Sequence, residues 1–323
     1  DVTTENISEF DAWLHKRRLG NGEAITDAAV YKYHKCLKAM LNRAVTFDKI
    51  DRNPYDRLKF KRGETENIEY LTEEEMNEFL NEEPSATCLI RPFMMGKDFI
   101  NRQPRYCLWL DKVSPAVLKQ LPNVLKRIQA VKEFRLSSQR ESTLRAADTP
   151  YLFGAPFECT TDYIALPKVS SENRRYIPID YLSADIIPGD KLFTMQNASL
   201  YHFGVLTSNV HMAWVRAVCG RIKSDYRYSN DIVYNNFPWC NPTDEQKARI
   251  EKTAQAILDA RAKYPESSLA DLYDELSMPP DLRKAHQEND KAVMQAYGFN
   301  IKMTESECVA ELFKMYEKLV KIV

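Results

Sequence analysis

Hydrophobic residues recur at helical spacing from the start of the chain. In "TTENISEFDAWLHKRRLG", Ile7, Phe10, Trp13 and Leu14 fall on one face, Thr4 is placed to cap the helix and Gly20 to end it. In "TDAAVYKYHKCLKAMLNRAV" the apolar stripe is Val30, Tyr33, Leu37, Met40, Leu41 and Ala44, with Lys32, Lys35, Lys38 and Arg43 largely on the other side. That pattern predicts a helix with one dry and one basic face. "RNPYDRLKF" turns at Asn53 and Pro54, and "LTEEEMNEFL" opens another helix through a Thr72/Glu75 capping box.

Beyond Pro84 the period changes. "IRPF" and "YCLWL" read as strand-like pieces, and "SPAVLKQLPNVLKRIQAVKEFRLSS" as helix starting at Ser114 and Pro115. "DYIALPKVSSENRRYIPIDYL" and "KLFTMQNASLYHFGVLTS" mix short β-rich runs with Pro, Asn and Ser, before an amphipathic helix in "NVHMAWVRAVCGRI" that ends near Gly220. In the tail, Thr243 caps one helix, Pro279 and Pro280 open a second, and Thr304/Glu307 boxes a third with Val309, Leu312, Phe313, Tyr316 and Leu319 as its core stripe. The expected fold class is α+β: a small all-α bundle over residues 1–80, a mixed α/β domain over 84–241 and a helical domain over 242–323.

Composition narrows the function. The chain has 323 residues, 44% hydrophobic and 28% charged, which is ordinary for globular domains. Seven scattered cysteines with no CxxC pair, and five scattered histidines, speak against a disulfide framework and a zinc site and fit a reducing cytoplasm. No apolar run approaches membrane-spanning length, and nine glycines leave little for a phosphate cradle. The net charge of −1 hides an uneven distribution. Residues 12–62 hold thirteen Lys/Arg against five Asp/Glu, 63–83 hold nine Glu and no Lys/Arg, and 84–241 hold twenty basic against thirteen acidic residues. Two basic modules across an acidic joint suit a polyanion, whose condensed counterions are released on binding; a solvated basic face is the competing reading.

The first module, in the order "ITDAAVYKYHKCLKAMLNRAV", "DKIDRNPYDRLKFKRGE", "EYLTEEEMNEF", resembles the core-binding domain of tyrosine recombinases (phage-type integrases). The resemblance implies a helical bundle that clamps one side of a duplex, with Lys32, Lys35, Lys38 and Arg43 on phosphates. The arginine, His-x-x-Arg and nucleophilic tyrosine of a recombinase catalytic domain are not found after Leu80.

From about residue 84 the chain is similar to the C-terminal part of MmeI-type (type IIL) restriction-modification methyltransferases. The matching pieces include "RYCLWL", "VKEFR", "PKVSSENRRYIPI", "LYHFGVLTSNVHMAWVRAVCGRIKSDYRYS", "IVYNNFPW" and "DARAKYPESSLADLYDELSMPPDLRKAHQENDKAV". This implies a target-recognition domain that reads an asymmetric DNA site, followed by a helical domain that packs on it and helps clamp the duplex. The adenine methyltransferase and nuclease of that family would bring S-adenosylmethionine and Mg; no cofactor is expected for these 323 residues. The expected partner is double-stranded DNA, with a methyltransferase, nuclease or recombinase catalytic part in cis or trans, and no membrane. The alternatives are part of an active adenine methyltransferase, or an integrase completed elsewhere.

"RIKSDYRYS" carries the candidate chemistry. A lysine donates to guanine O6/N7 and an aspartate accepts from cytosine N4, so Lys223 and Asp225, if "KSD" is extended, point the same way and read one G·C pair. Arg227 reaches a neighbouring pair. Lys168 with Asp190 forms a second reading pair, and Lys191 shares a position with Arg227. Arg174, Arg175, Arg216 and Arg221 suit phosphates. The competing reading of Lys223 and Asp225 is a solvated ion pair worth under about 1 kcal/mol. Tyr234, Phe237 and Trp239 read as packing, and His202 and His211 as neutral interior residues.

Overall fold

The computed structural model describes residues 2–20, 22, 24–58, 60, 70–154 and 157–321. Part of the acidic joint, residues 61–69, lies outside them. The chain divides into two compact units, Asp1–Asn67 and Ile68–Val323.

Among its described residues the first unit has two helices, α1 (Thr4–Lys16) and α2 (Asp27–Thr46), and a short turn at Pro54–Arg57. Thr3, not Thr4, caps α1, because its side chain reaches the Asn6 N–H, and the helix stops at Lys16 before Gly20. The face that α2 buries also differs from the expected stripe. Val30, His34 and Leu41 are buried, while Tyr33 and Met40 are 51% and 68% exposed. A histidine can occupy the dry face because both ring nitrogens are used. Nε2 lies 2.9 Å from the Asp11 carboxylate, and Nδ1 is hydrogen-bonded to the Tyr55 hydroxyl at 2.8 Å. Phe60 stacks on the same ring, with centroids 3.8 Å apart.

The second unit runs α3 (Glu73–Glu82), β1 (Ile90–Met94), α4 (Gly96–Asn101), β2 (Arg105–Leu108), α5 (Pro115–Leu118), α6 (Pro122–Leu136) and α7 (Glu141–Arg145). It continues with β3 (Tyr163–Pro167), β4 (Val169–Ser170), β5 (Asp180–Leu182), β6 (Ile187–Pro188), β7 (Leu192–Gln196), α8 (Leu200–Leu206) and α9 (Asn209–Val218). A hairpin of β8 (Gly220–Ile222) and β9 (Asp225–Arg227) follows, then α10 (Asp244–Ala262), α11 (Leu269–Leu272), α12 (Pro280–Ala296) and α13 (Glu305–Val320). The mixture of helices with small sheets is α+β, as expected.

The bundle expected over residues 1–80 would include the helix after the Thr72/Glu75 box, at a joint that the sequence places only to within about ten residues; the structure ends the first unit at Asn67. In the structure Leu71 bridges to Tyr106, and Phe79 of α3 packs with Ala86, Leu89 and Val124, so the helix is part of the second unit. The single helix expected from Ser114 is two. The residue before a proline is pushed away from the α region, and Leu121 (φ −120°, ψ 82°) separates α5 from Pro122 at the start of α6.

Among the described residues three small sheets have the orders β2-β1-β6, β5-β3-β7 and β4-β9-β8. The main core joins β3, every residue of which is buried, to α8, α9, α10 and α12. Gly204 in α8 permits the tightest of these contacts, since a Cβ there would lie 2.6 Å from Ile250 Cγ2 of α10. In α13 the dry face is centred on Cys308 and Leu312, leaving Phe313 and Leu319 40% and 52% exposed. Phe237 is buried against Trp214, Trp239 and His211, in keeping with the packing reading of "YNNFPW". Among the described residues no helix is long and apolar enough to cross a membrane.

Candidate nucleic-acid interface

The candidate base-reading residues gather at the β4-β9-β8 sheet and the turn before β7. Ile222 pairs with Asp225, so Lys223 and Ser224 alone form the hairpin reversal. Lys223 adopts the left-handed conformation, φ +56°, which a β-carbon makes costly by about 1–2 kcal/mol. The Arg221 guanidinium closes the hairpin from within, donating from Nη1 to Ser224 O at 3.0 Å and lying 3.9 Å from the Tyr226 ring centroid.

This corrects the geometry expected for "KSD". An extended segment would have aimed Lys223 and Asp225 the same way, but the two-residue reversal puts Lys223 at the tip and Asp225 at the first position of β9. The pair that shares a face is Asp225 and Arg227, two apart in one strand, with Tyr226 buried on the other side. Arg227 lies opposite Val169 on one side and Gly220 on the other, on a face where Val169 and Ile222 are also exposed.

Lys168 precedes β4 and is tied to the neighbouring turn: its N–H donates to Lys191 O at 3.0 Å, and its carbonyl accepts from Tyr228 N–H at 2.9 Å. Its ammonium sits 4.5 Å from the Phe193 ring centroid. Asp190 forms its ion pair with the adjacent Lys191, not with Lys168. The backbone thus brings Lys168, Asp190, Lys191 and Arg227 to one edge.

The arginines differ from one another. Arg174, Arg175 and Arg216 line a cleft of about 390 Å³, together with Glu172, Glu275 and Glu305. Burial lowers the pKa of the Arg174 guanidinium, and Asp225 and Asp274 pull it back up. Tyr176 raises that of Arg175. Arg216 is committed internally, its Nη1 to Glu305 and its Nη2 to the Arg175 carbonyl, each at 2.9 Å. Arg216 and Arg221 therefore hold the protein together at this site before any phosphate does. In the first unit Lys32, Lys35, Lys38 and Arg43 are arrayed along α2, away from its buried face.

Sequence reasoning missed the polar residues behind this edge. His286, Asn289 and Asp290 lie on the same face of α12 as Leu282 and Val293, and all five are buried. The signal was available as polar residues at i+4, i+7 and i+8 within an apolar stripe. Asp290 accepts from the Tyr176 hydroxyl at 2.7 Å and from the Asn209 N–H at 2.8 Å. Of the two histidines expected to be neutral, His211 has its pKa pushed down to about 4 by burial, with Nδ1 donating to Leu206 O and Nε2 facing the Tyr228 hydroxyl. Burial lowers that of His202 as well.

Comparison with known proteins gives three family matches. Residues 57–241 match the target recognition domain of MmeI, 242–323 its C-terminal domain, and 1–62 the phage integrase SAM-like domain. DNA methyltransferase A of Bacillus subtilis (strain 168) is 36% identical over 247 residues, which are 76% of this chain and 28% of that protein. Among solved structures the chain is similar to the Type IIL restriction-modification enzyme MmeI in complex with DNA, at 43% identity and a TM-score of 0.76, over 79% of this chain and 34% of that one. The chain thus spans about a third or less of each of these relatives.

Proposed function

We propose that this chain, which belongs to the family of the MmeI target recognition domain, binds double-stranded DNA and prefers a particular site. Residues 68–323 read base pairs through the β4-β9-β8 edge, and the first unit adds phosphate contacts through α2. The observation that carries the reading is the strand face on which Asp225 and Arg227 stand two residues apart. A carboxylate that accepts from cytosine or adenine amines beside a guanidinium that donates to guanine is the pairing that discriminates in the major groove. Lys223 at the hairpin tip and Lys168, Asp190 and Lys191 at the far end extend the same edge. Arg174 and Arg175 at the cleft mouth suit phosphates, which orient without specifying.

No catalytic step is assigned to these residues, and S-adenosylmethionine is not expected to bind them. A second reading, that the chain is the recognition part of a longer adenine methyltransferase, draws on the 36% identity to a protein named DNA methyltransferase A. The test is a randomised-duplex selection with the purified chain at low and moderate salt. Enrichment of a short asymmetric site supports base reading. Strongly salt-dependent binding without any enriched site counts against it and leaves only phosphate contacts. S-adenosylmethionine binding by calorimetry would overturn the expectation that these residues hold no cofactor, and with it a purely recognising role.

A further inference from the structure

The loop from Ser171 to Tyr176 lies between the recognition strand and the C-terminal helices. At its front, the Glu172 N–H donates to Asp225 Oδ1 at 3.4 Å, and the Arg174 guanidinium feels the same carboxylate. Between, the chain turns tightly, with Arg174 N–H donating to Ser171 O at 3.2 Å. At its back, the Tyr176 hydroxyl donates to Asp290 Oδ2, and the Tyr176 ring stacks on His286 with centroids 4.2 Å apart. The Arg175 carbonyl is held by Arg216, whose other nitrogen pairs with Glu305 at the start of α13. Two C-terminal helices thus fasten a loop whose front edge touches Asp225.

Asp290 is the less replaceable of the two fastenings. It is 6% exposed and receives two donors, Tyr176 O–H and Asn209 N–H, one on each oxygen. Only the ionised carboxylate accepts both without carrying a proton of its own that needs a partner. Facing it are Tyr176 and Arg175 from the loop and Arg216 from α9, with Glu275 beside Arg175, Glu305 beyond Arg216 and a neutral His286 one turn earlier on its own helix. Burial pushes its pKa up to about 6 against those donors and cations. Its charge therefore changes within a range where DNA binding is measurable.

We propose that Asp290 is a positioning residue for base recognition: anchored to α9 by the Asn209 N–H, it holds through Tyr176 the Ser171–Tyr176 loop that sets Asp225, so the C-terminal helices tune base-pair preference through this loop. The proposal rests on the reading of residues 68–323 as the part that reads a duplex.

Two readouts test it on the full chain, in the wild type, Asp290→Asn, Asp290→Glu and Glu305→Gln. Without DNA, the Glu172 amide in Asp290→Asn should exchange hydrogen roughly five- to tenfold faster than in the wild type near neutral pH, while the β3 amides keep their protection. The wild type should approach that behaviour as the pH falls below about 6. In randomised-duplex selection the wild type should lose its preference at one base pair at about pH 5.5, Asp290→Asn should lack it at both about pH 5.5 and about pH 7.5, and Asp290→Glu should regain part of it. Glu305→Gln keeps an amide oxygen to accept from Arg216 and leaves Asp290 and its two donors in place, so it should retain the preference at about pH 7.5; loss as complete as in Asp290→Asn would assign the control to the Arg216 fastening and overturn the proposal. Unchanged Glu172 exchange in Asp290→Asn, or loss of β3 protection with site preference intact, overturns the proposal. Absence of any enriched duplex in the wild type overturns the DNA reading itself, an outcome that the exchange data keep separate.

Discussion

Asp225 and Arg227 stand side by side on the same face of β9, and Tyr226 between them is buried with the Arg221 guanidinium over its ring. An acceptor and a donor are thereby fixed at strand spacing on a surface whose underside is packed. The consequences can be checked residue by residue.

Arg227 is exposed and has no part in the core, so Arg227→Ala should leave the melting temperature within about 2 °C. It should relax discrimination at one base pair by about 1–3 kcal/mol. Exchanging charges with Lys223→Glu and Asp225→Arg should shift preference at more than one pair, since the two side chains stand at different places on the hairpin. Selection with each variant decides; an unchanged site in both removes base reading from this strand.

Replacing Lys32, Lys35 and Lys38 by alanine should weaken DNA binding equally for all sequences. Its salt dependence should flatten by roughly 0.9 in log–log slope for each phosphate that the chain no longer neutralises. The three side chains lie outside the buried face of α2, so the fold should persist. If affinity and slope stay as they were, the basic face of α2 is simply solvated.

Acid stability should carry the mark of His211. Its folded pKa of about 4 lies below the ordinary histidine value of 6.5, so the unfolded chain binds more protons between those values, and the stability it contributes is lost as the pH falls through that window. The contribution is on the order of 3 kcal/mol. Asp290 acts in the opposite sense. Its folded pKa of about 6 is above 3.8, so it favours the folded state as the pH falls through 6. Denaturant melts of His211→Gln from pH 7 to about pH 4.5 should show a shallower loss than the wild type. An equally steep loss would mean that other groups govern acid unfolding.

The two compact units should respond separately to core lesions. Tyr55→Phe strips the hydroxyl from a buried His34 nitrogen and should cost the first unit about 1–3 kcal/mol. Phe79→Ala should cost the second unit about 3 kcal/mol or more, since Phe79 is only 8% exposed. Amide exchange resolves which residues lose protection; a Phe79→Ala effect confined to residues 2–58 would contradict the placement of α3.

Much of this architecture is legible along the chain because the controlling interactions are short-range. The capping boxes at Thr72/Glu75 and Thr304/Glu307 and the prolines that open α5 and α12 each depend on residues no more than four apart, and all are where the sequence puts them. The packing aromatics of "YNNFPW" and the strands "IRPF" and "YIALP" also follow from local pattern. Local pattern misled where a distant partner changes a residue's worth. His34 reads as polar and is buried, because Asp11 and Tyr55 satisfy it from 23 and 21 residues away. "KSD" carries no glycine or asparagine to announce a reversal, yet pairing of β8 with β9 forces one.

By itself, then, the sequence determined most of the helices, the capping boxes at Thr72/Glu75 and Thr304/Glu307, the α+β class, the family resemblance and the basic stretches that face solvent, since each is written in neighbouring residues or in their order. Only the tertiary structure decided that Lys223 and Asp225 part company, that Asp225 and Arg227 form the face, and that Arg216 and Arg221 are engaged internally. It alone joined Asp290 to Tyr176 across 114 residues. The physical reason is that burial and hydrogen-bond satisfaction are properties of neighbours in space, and a buried carboxylate acquires its two donors only when separate segments close around it.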